Sequence, residues 1–202
     1  MKEKKNIIDN SFSDVYSGEE FYPIIHSKDV VTIDKQLPLK YNSVINKIDG
    51  LYTLSETTTD GSIIWTYEVN NIPQIIGEPS MPEGEKISMN WFVSTLDGWE
   101  DISRWYYNLC ETKMVLNDGM KKKAEELTKD CKTDLEKINA IFFYVSRKVR
   151  YMGATFEENK PGFEPHSTDY TFNTMTGVCR DKAALIVAML RYAGYAANMV
   201  LM

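Results

Sequence analysis

The residues best placed to do chemistry are Gly177-Val178-Cys179-Arg180-Asp181-Lys182, which stand directly ahead of the run AALIVAML at 183–190. That run is apolar nearly all round a helix and should be buried. Gly194 follows it as the expected C′ residue. Cys179 then falls at the start of the helix, where backbone N–H groups lack intrahelical partners and the dipole is positive. A thiolate at such a position is stabilised relative to the thiol and is a nucleophile near neutral pH. The same N–H groups can hold the oxyanion formed when a thiolate attacks a carbonyl. Gly177, with no Cβ, lets backbone and substrate come close. The opposing reading is a cysteine that merely packs, as most do. Cys110 and Cys131 are read that way, with a disulfide between them only in an oxidising compartment.

A cysteine nucleophile needs a base, itself oriented by a third group. The chain has two histidines. His166 lies 13 residues before Cys179, within reach but on a stretch that reads as a loop and preorganises it poorly. His26 belongs to the β-rich part of the chain. Asp181 reads as a first-turn acid that complements the helix dipole. Arg180 and Lys182 are either supports for a thiolate or solvated cations. Tyr151 and Tyr170 are read as structural aromatics rather than oxyanion donors. Two isolated histidines and three cysteines without zinc-type spacing argue against a metal site. No organic cofactor is implied. A thiol-redox role would need a resolving cysteine, and the nearest in sequence, Cys131, is 48 residues away.

The elements that must position Cys179 follow from periodicity. YNSVINKI (41–48) and LYTLSETT (51–58) flank Asp49-Gly50, a two-residue hairpin signal. After Asp60-Gly61, SIIWTYEVN (62–70) sets Ile63, Trp65, Tyr67 and Val69 on one face, completing an expected three-strand meander. KISMNWFVS (86–94) is a further strand, the first thirty residues are ambiguous, and sheet on sheet is the expected packing. Near Ser94 the period changes. Trp99, Ile102, Trp105, Tyr106 and Leu109 predict a helix over 98–110 with an aromatic face. Asn117 caps a second helix to about Lys129, and Thr133-Asp134-Leu135-Glu136 opens a third as a capping box. Leu135, Ile138, Ile141, Phe142 and Val145 form its stripe, to about Val149. Residues 150–176, with Gly153, Pro161, Gly162 and Pro165, read as a long functional loop, and AANMVLM (196–202) as a strand. The domains are 1–95, β-rich, and 96–202, mainly helical.

At 43% hydrophobic and 26% charged the composition is that of a globular chain. A net charge of −6 argues against a nucleic-acid binder. Lys121-Lys122-Lys123 reads as a solvated helix face. No run approaches the ~20 apolar residues of a membrane span. The start MKEKKNIIDNSFSD has no apolar core and is not a secretory signal.

Gly177-Val178-Cys179-Arg180-Asp181-Lys182-Ala183, followed by an aliphatic helix, Arg191 and Gly194, resembles the nucleophile segment of the bacterial transglutaminase-like (papain-like cysteine) superfamily. There the pattern is Gly-x-Cys-[Arg/Lys]-Asp-[Lys/Tyr]-Ala. Arg150-Tyr151 and the loop after them are similar too. The β-rich part, Met81-Pro82 and STLDGWEDISRWYYNL (94–109) resemble a domain of unknown function often fused ahead of such cores. The resemblance implies an α+β fold, with an antiparallel β-rich N-terminal domain followed by the helical first half of a transglutaminase-like core. It implies Cys179 as nucleophile, a thioester acyl-enzyme and a protein or peptide substrate, with hydrolysis ahead of cross-linking. The family's histidine and aspartate lie on strands beyond the cysteine helix. After Asp181 this chain has neither a histidine nor an acid, and Asn198 is its sole side-chain amide there. The expectation is therefore a chain cut before its catalytic strands and inactive alone. Its parent is expected outside the cytoplasm, periplasmic or at the cell surface, a cytoplasmic site being the alternative. The rival functional reading is an inactive relative that binds protein or glycan through its β-rich half, with Trp65 and Trp91.

Overall fold

The computed structural model describes residues 8–152 and 162–201, and the chain divides into two compact units, Met1–Asp101 and Ile102–Met202. Gly153 and Pro161 of the expected loop, and Met202 of the expected last strand, lie outside the described residues.

The first unit is built from β1 (Ser13–Ser17), β2 (Ile24–Asp34), β3 (Tyr41–Ile45), β4 (Tyr52–Thr58), β5 (Ser62–Ile72), the short helix α1 (Gly84–Ile87) and β6 (Asn90–Ser94). They form two antiparallel three-stranded sheets, ordered β1-β6-β3 and β2-β5-β4. Both contribute to one core: Val31, Ile33, Tyr67, Val69 and Ile72 from one sheet, Val44, Trp91 and Val93 from the other, with Met89. Ile63 and Trp65 pack against that core, so the face read from the alternation of β5 is the inner one.

Two strand expectations need correction. Asp49-Gly50 does form a turn, with Gly50 at φ +79° and Leu51 N–H donating to Ile48 O at 3.2 Å. It joins no hairpin, because β3 pairs with β6 and β4 with β5. Asn46, in the left-handed region at φ +49°, ends β3 and donates its amide to Ser88 O at 2.9 Å. The chain there passes from one sheet to the other, where a two-residue hairpin would have kept it in one. The meander is thus one hairpin, β4–β5, with β2 on the far side of β5. The strand expected over 86–94 starts only at Asn90. Before it, Ser88 Oγ donates to Gly84 O at 2.7 Å and closes a helical turn.

The second unit carries α2 (Trp99–Glu111, whose first turn holds the division), α3 (Asp118–Thr128), α4 (Asp134–Lys148), β7 (Arg150–Tyr151), α5 (Thr168–Thr174), β8 (Thr176–Gly177) and α6 (Cys179–Tyr192). The predicted caps are present. Asn117 accepts from Met120 N–H at 2.9 Å, and Thr133 and Glu136 close a reciprocal capping box. Met120, Ala124, Ile141, Val145, Val149, Leu185 and Met189 make the core, with α6 packed against α3, α4 and α5. At its end Gly194 (φ +94°) donates to Arg191 O and Tyr195 N–H to Leu190 O, a Schellman closure.

Other expectations fail for identifiable reasons. Leu135 is 67% exposed and Phe142 45%, because α4 buries only the stripe through Ile141 and Val145. Trp99 is 81% exposed and leaves the expected stripe of α2, whose Ile102, Trp105 and Leu109 are half-buried and whose Tyr106 is buried, as is Cys110. The stretch 150–176 contains α5 and a short parallel pair, β7 with β8, in place of an unbroken loop. Residues 196–201 form no strand. They are tied instead by Arg191, whose Nε donates to Ala197 O at 2.7 Å and whose Nη2 donates to Asn198 Oδ1 at 3.0 Å.

Candidate active site

Three local features place Cys179. The parallel pairing of Tyr151 with Gly177 holds the chain just ahead of it, with Met152 N–H donating to Gly177 O at 3.2 Å. Gly177 packs so closely on the start of α6 that a Cβ there would lie 2.9 Å from Asp181 Cβ and 3.3 Å from Thr171 Cγ2. Its missing side chain thus serves the approach of the chain to its own helix. Cys179 is the first residue of the 14-residue α6, after Val178 as cap, and its thiol is free and exposed. The nitrogens of its turn stand at the positive end of a helix whose far side is buried.

Asp181 stands in the first turn of α6, as expected of an acid that complements the dipole, and it does more than that. It is 0% exposed and gathers four contacts. Its Oδ1 accepts the backbone N–H of His166 at 2.9 Å and lies 3.6 Å from Arg180 Nε. Its Oδ2 accepts Val178 N–H at 3.0 Å and sits 3.2 Å from His166 Nδ1. An ionised carboxylate can only accept, so the imidazole presents Nδ1–H to it. The ring of His166 also stacks on Tyr170, with centroids 4.7 Å apart. The structure therefore brings His166 to the first turn of α6 through Asp181, which the loop reading missed. The signal was present: an acid at the third helical position behind a cap with no side-chain oxygen reaches back to the cap's N–H.

The two neighbouring cations do different work. The guanidinium of Arg180 donates to Gly162 O and faces Asp181, so it balances buried charge. Lys182 turns away, donating to Ser146 O and Val149 O at 3.0 Å each, where the carbonyls of α4 end. Tyr151 and Tyr170 are both exposed. His26 pairs with Glu68 at 2.8 Å in the first unit.

One residue went unnoticed in the sequence as a neighbour of the site. Tyr106, on α2, has its hydroxyl pKa pushed up to about 12, first by burial, then by Cys110 and Cys179, with Arg180 opposing. It stays a neutral hydroxyl at physiological pH, and its aromatic stripe was the available signal. Burial likewise pushes the Cys110 thiol up, against a hydrogen bond from Tyr106. Cys131 approaches Leu127 O at 3.6 Å, and no disulfide joins any pair of cysteines. Among the described residues there is no cluster of three or more His, Cys, Asp or Glu that could hold a metal, and no helix is long and apolar enough to cross a membrane.

Residues 121–202 match the model of the transglutaminase-like superfamily. No curated protein matches the chain. Of solved structures, a candidate protease from Parabacteroides distasonis is similar at 18% identity and a TM-score of 0.68, over 92% of this chain and 35% of that one. The chain therefore spans about a third of that protein's length. At this identity the likeness concerns the fold, and it supports the α+β arrangement of sheets followed by helices. A candidate cysteine protease from Cytophaga hutchinsonii matches at 15% identity over 91% of this chain and 62% of that one, with a TM-score of 0.34, too slight to bear on the fold.

Proposed function

We propose, for a chain whose residues 121–202 belong to the transglutaminase-like superfamily, that Cys179 is the nucleophile of an enzyme acting on peptide or amide carbonyls. The carrying observation is an exposed thiol on the first residue of a buried helix, above a turn locked by the buried Asp181. The thiolate attacks the carbonyl carbon, and the N–H groups opening α6 face the oxygen that gains charge. The C–S bond forms, the C–N bond breaks, and the amine leaves with the proton the thiol gave up. Water or a second amine then takes the acyl group from the thioester. The exposure of Cys179 supports water as acceptor, because cross-linking requires that water be kept out. The substrate this favours is a protein or peptide.

The half-reaction is testable on this chain. A p-nitrophenyl ester should place a single acyl group on Cys179, found by peptide mass mapping. The rate should exceed that of an unstructured cysteine peptide by about 100-fold, the weight of an oxyanion donor. Cys179→Ala should abolish the adduct with an unchanged melting temperature. Acylation no faster than the free peptide, or an adduct that survives in Cys179→Ala, would leave a binding module as the better description.

A further inference from the structure

The carboxylate of Asp181 presents a physical problem. It is wholly buried and stands in the first turn of α6, two residues from the thiol. A negative charge there opposes a second one on sulfur, and the opposition is strong where water is excluded. Four contacts spread the charge: Val178 N–H, His166 N–H, the imidazole Nδ1 of His166 and the guanidinium of Arg180. Two of the four come from one residue, on the segment that leads into α5 (Thr168–Thr174). His166 is held in turn. Its side chain is 19% exposed and stacked on Tyr170, and Ser167 beside it caps α5 by accepting from Tyr170 N–H at 3.2 Å.

We propose that His166 is a positioning residue for Cys179, acting through Asp181. Its ring N–H draws off carboxylate charge and pins the side chain so that Oδ2 stays on Val178 N–H. The first turn of α6 then presents its own N–H groups to the sulfur. This goes beyond the nucleophile assignment and rests on it for its relevance to catalysis. The role concerns Nδ1, the ring nitrogen that faces Asp181 at 3.2 Å.

The test is the rate at which iodoacetamide alkylates Cys179 at fixed pH, read by peptide mass mapping beside the melting temperature. His166→Ala keeps the backbone N–H and loses the ring. It should slow alkylation about tenfold, the weight of one charge-assisted hydrogen bond. His166→Asn offers an amide N–H near the place of Nδ1 and should restore the rate to within about threefold of the wild type. In an Asp181→Asn background the His166→Ala effect should fall below about twofold, because the charge it acts on is gone. If Asp181→Asn does not fold, the Ala and Asn variants at 166 decide the matter alone. Wild-type alkylation in His166→Ala, an Asn variant as slow as the Ala one, or a full effect persisting without Asp181 would overturn the proposal. Alkylation needs no acyl transfer. A rate that depends on His166 without any thioester on Cys179 would sink the nucleophile reading and leave this one standing.

Discussion

Lys182 Nζ lies 3.0 Å from the main-chain oxygen of Val149, and the same ammonium reaches Ser146 O at 3.0 Å. One side chain near the start of α6 thus closes the C-terminal end of α4, where carbonyls lack intrahelical partners. Lys182→Met keeps the aliphatic stem and removes the donors. It should cost about 1–2 kcal/mol in urea unfolding. It should leave the alkylation rate of Cys179 within about twofold, since the charge is spent away from the sulfur. A large loss of thiol reactivity with unchanged stability would show that Lys182 serves the thiol instead.

A Cβ added at Gly177 would lie 2.9 Å from Asp181 Cβ, closer than ordinary Cβ contacts come, and Asp181 is wholly buried. Gly177→Ala should therefore push the start of α6 off the β7–β8 pair. The expected cost is about 1–3 kcal/mol, with slower alkylation of Cys179 beside it. Full retention of both stability and rate would mean that the start of α6 has room for a methyl group there.

The three thiols should be separable by reactivity. Cys179 is exposed, Cys131 is half-buried, and Cys110 is buried with its thiol pKa raised by that burial. Brief iodoacetamide treatment of the folded protein near pH 7 should label Cys179 first, Cys131 next, and Cys110 only on unfolding. Labelling of Cys110 at the pace of Cys179 would contradict the packing of α2.

Asp29, on β2 opposite Tyr67, has its carboxyl pKa raised by burial and then by Asp14. As pH climbs past the ordinary 3.8 the unfolded chain ionises first, so the folded state loses ground until its own raised value is passed. The deficit persists at neutral pH and vanishes in acid below 3.8. Asp29→Asn should accordingly raise the melting temperature at pH 7, with the gain fading as pH falls through that window. A gain that is constant down to pH 3 would point to packing rather than ionisation.

Much of this was legible along the chain because it depends on near neighbours. The caps at Asn117 and Thr133, the closure at Gly194, the inner face of β5 and the start of α6 at Cys179 are set within a few residues, by side-chain oxygens, a missing Cβ or a simple period. The pairing of β3 was not legible. Its partner β6 lies more than forty residues on, and a sound turn at Asp49-Gly50 fits a crossing between sheets as well as it fits a hairpin. The exposure of Phe142 and Leu135 was hidden for a like reason: an apolar residue at the right period is buried only if another element covers it.

By itself, the sequence determined that a cysteine would open a buried helix, because helix period, glycine and cap chemistry are local. Only the tertiary structure decided what surrounds that cysteine. The burial of Asp181, the ring of His166 and the neutral hydroxyl of Tyr106 come from long-range packing, and no spacing along the chain encodes how a loop folds back onto a helix end.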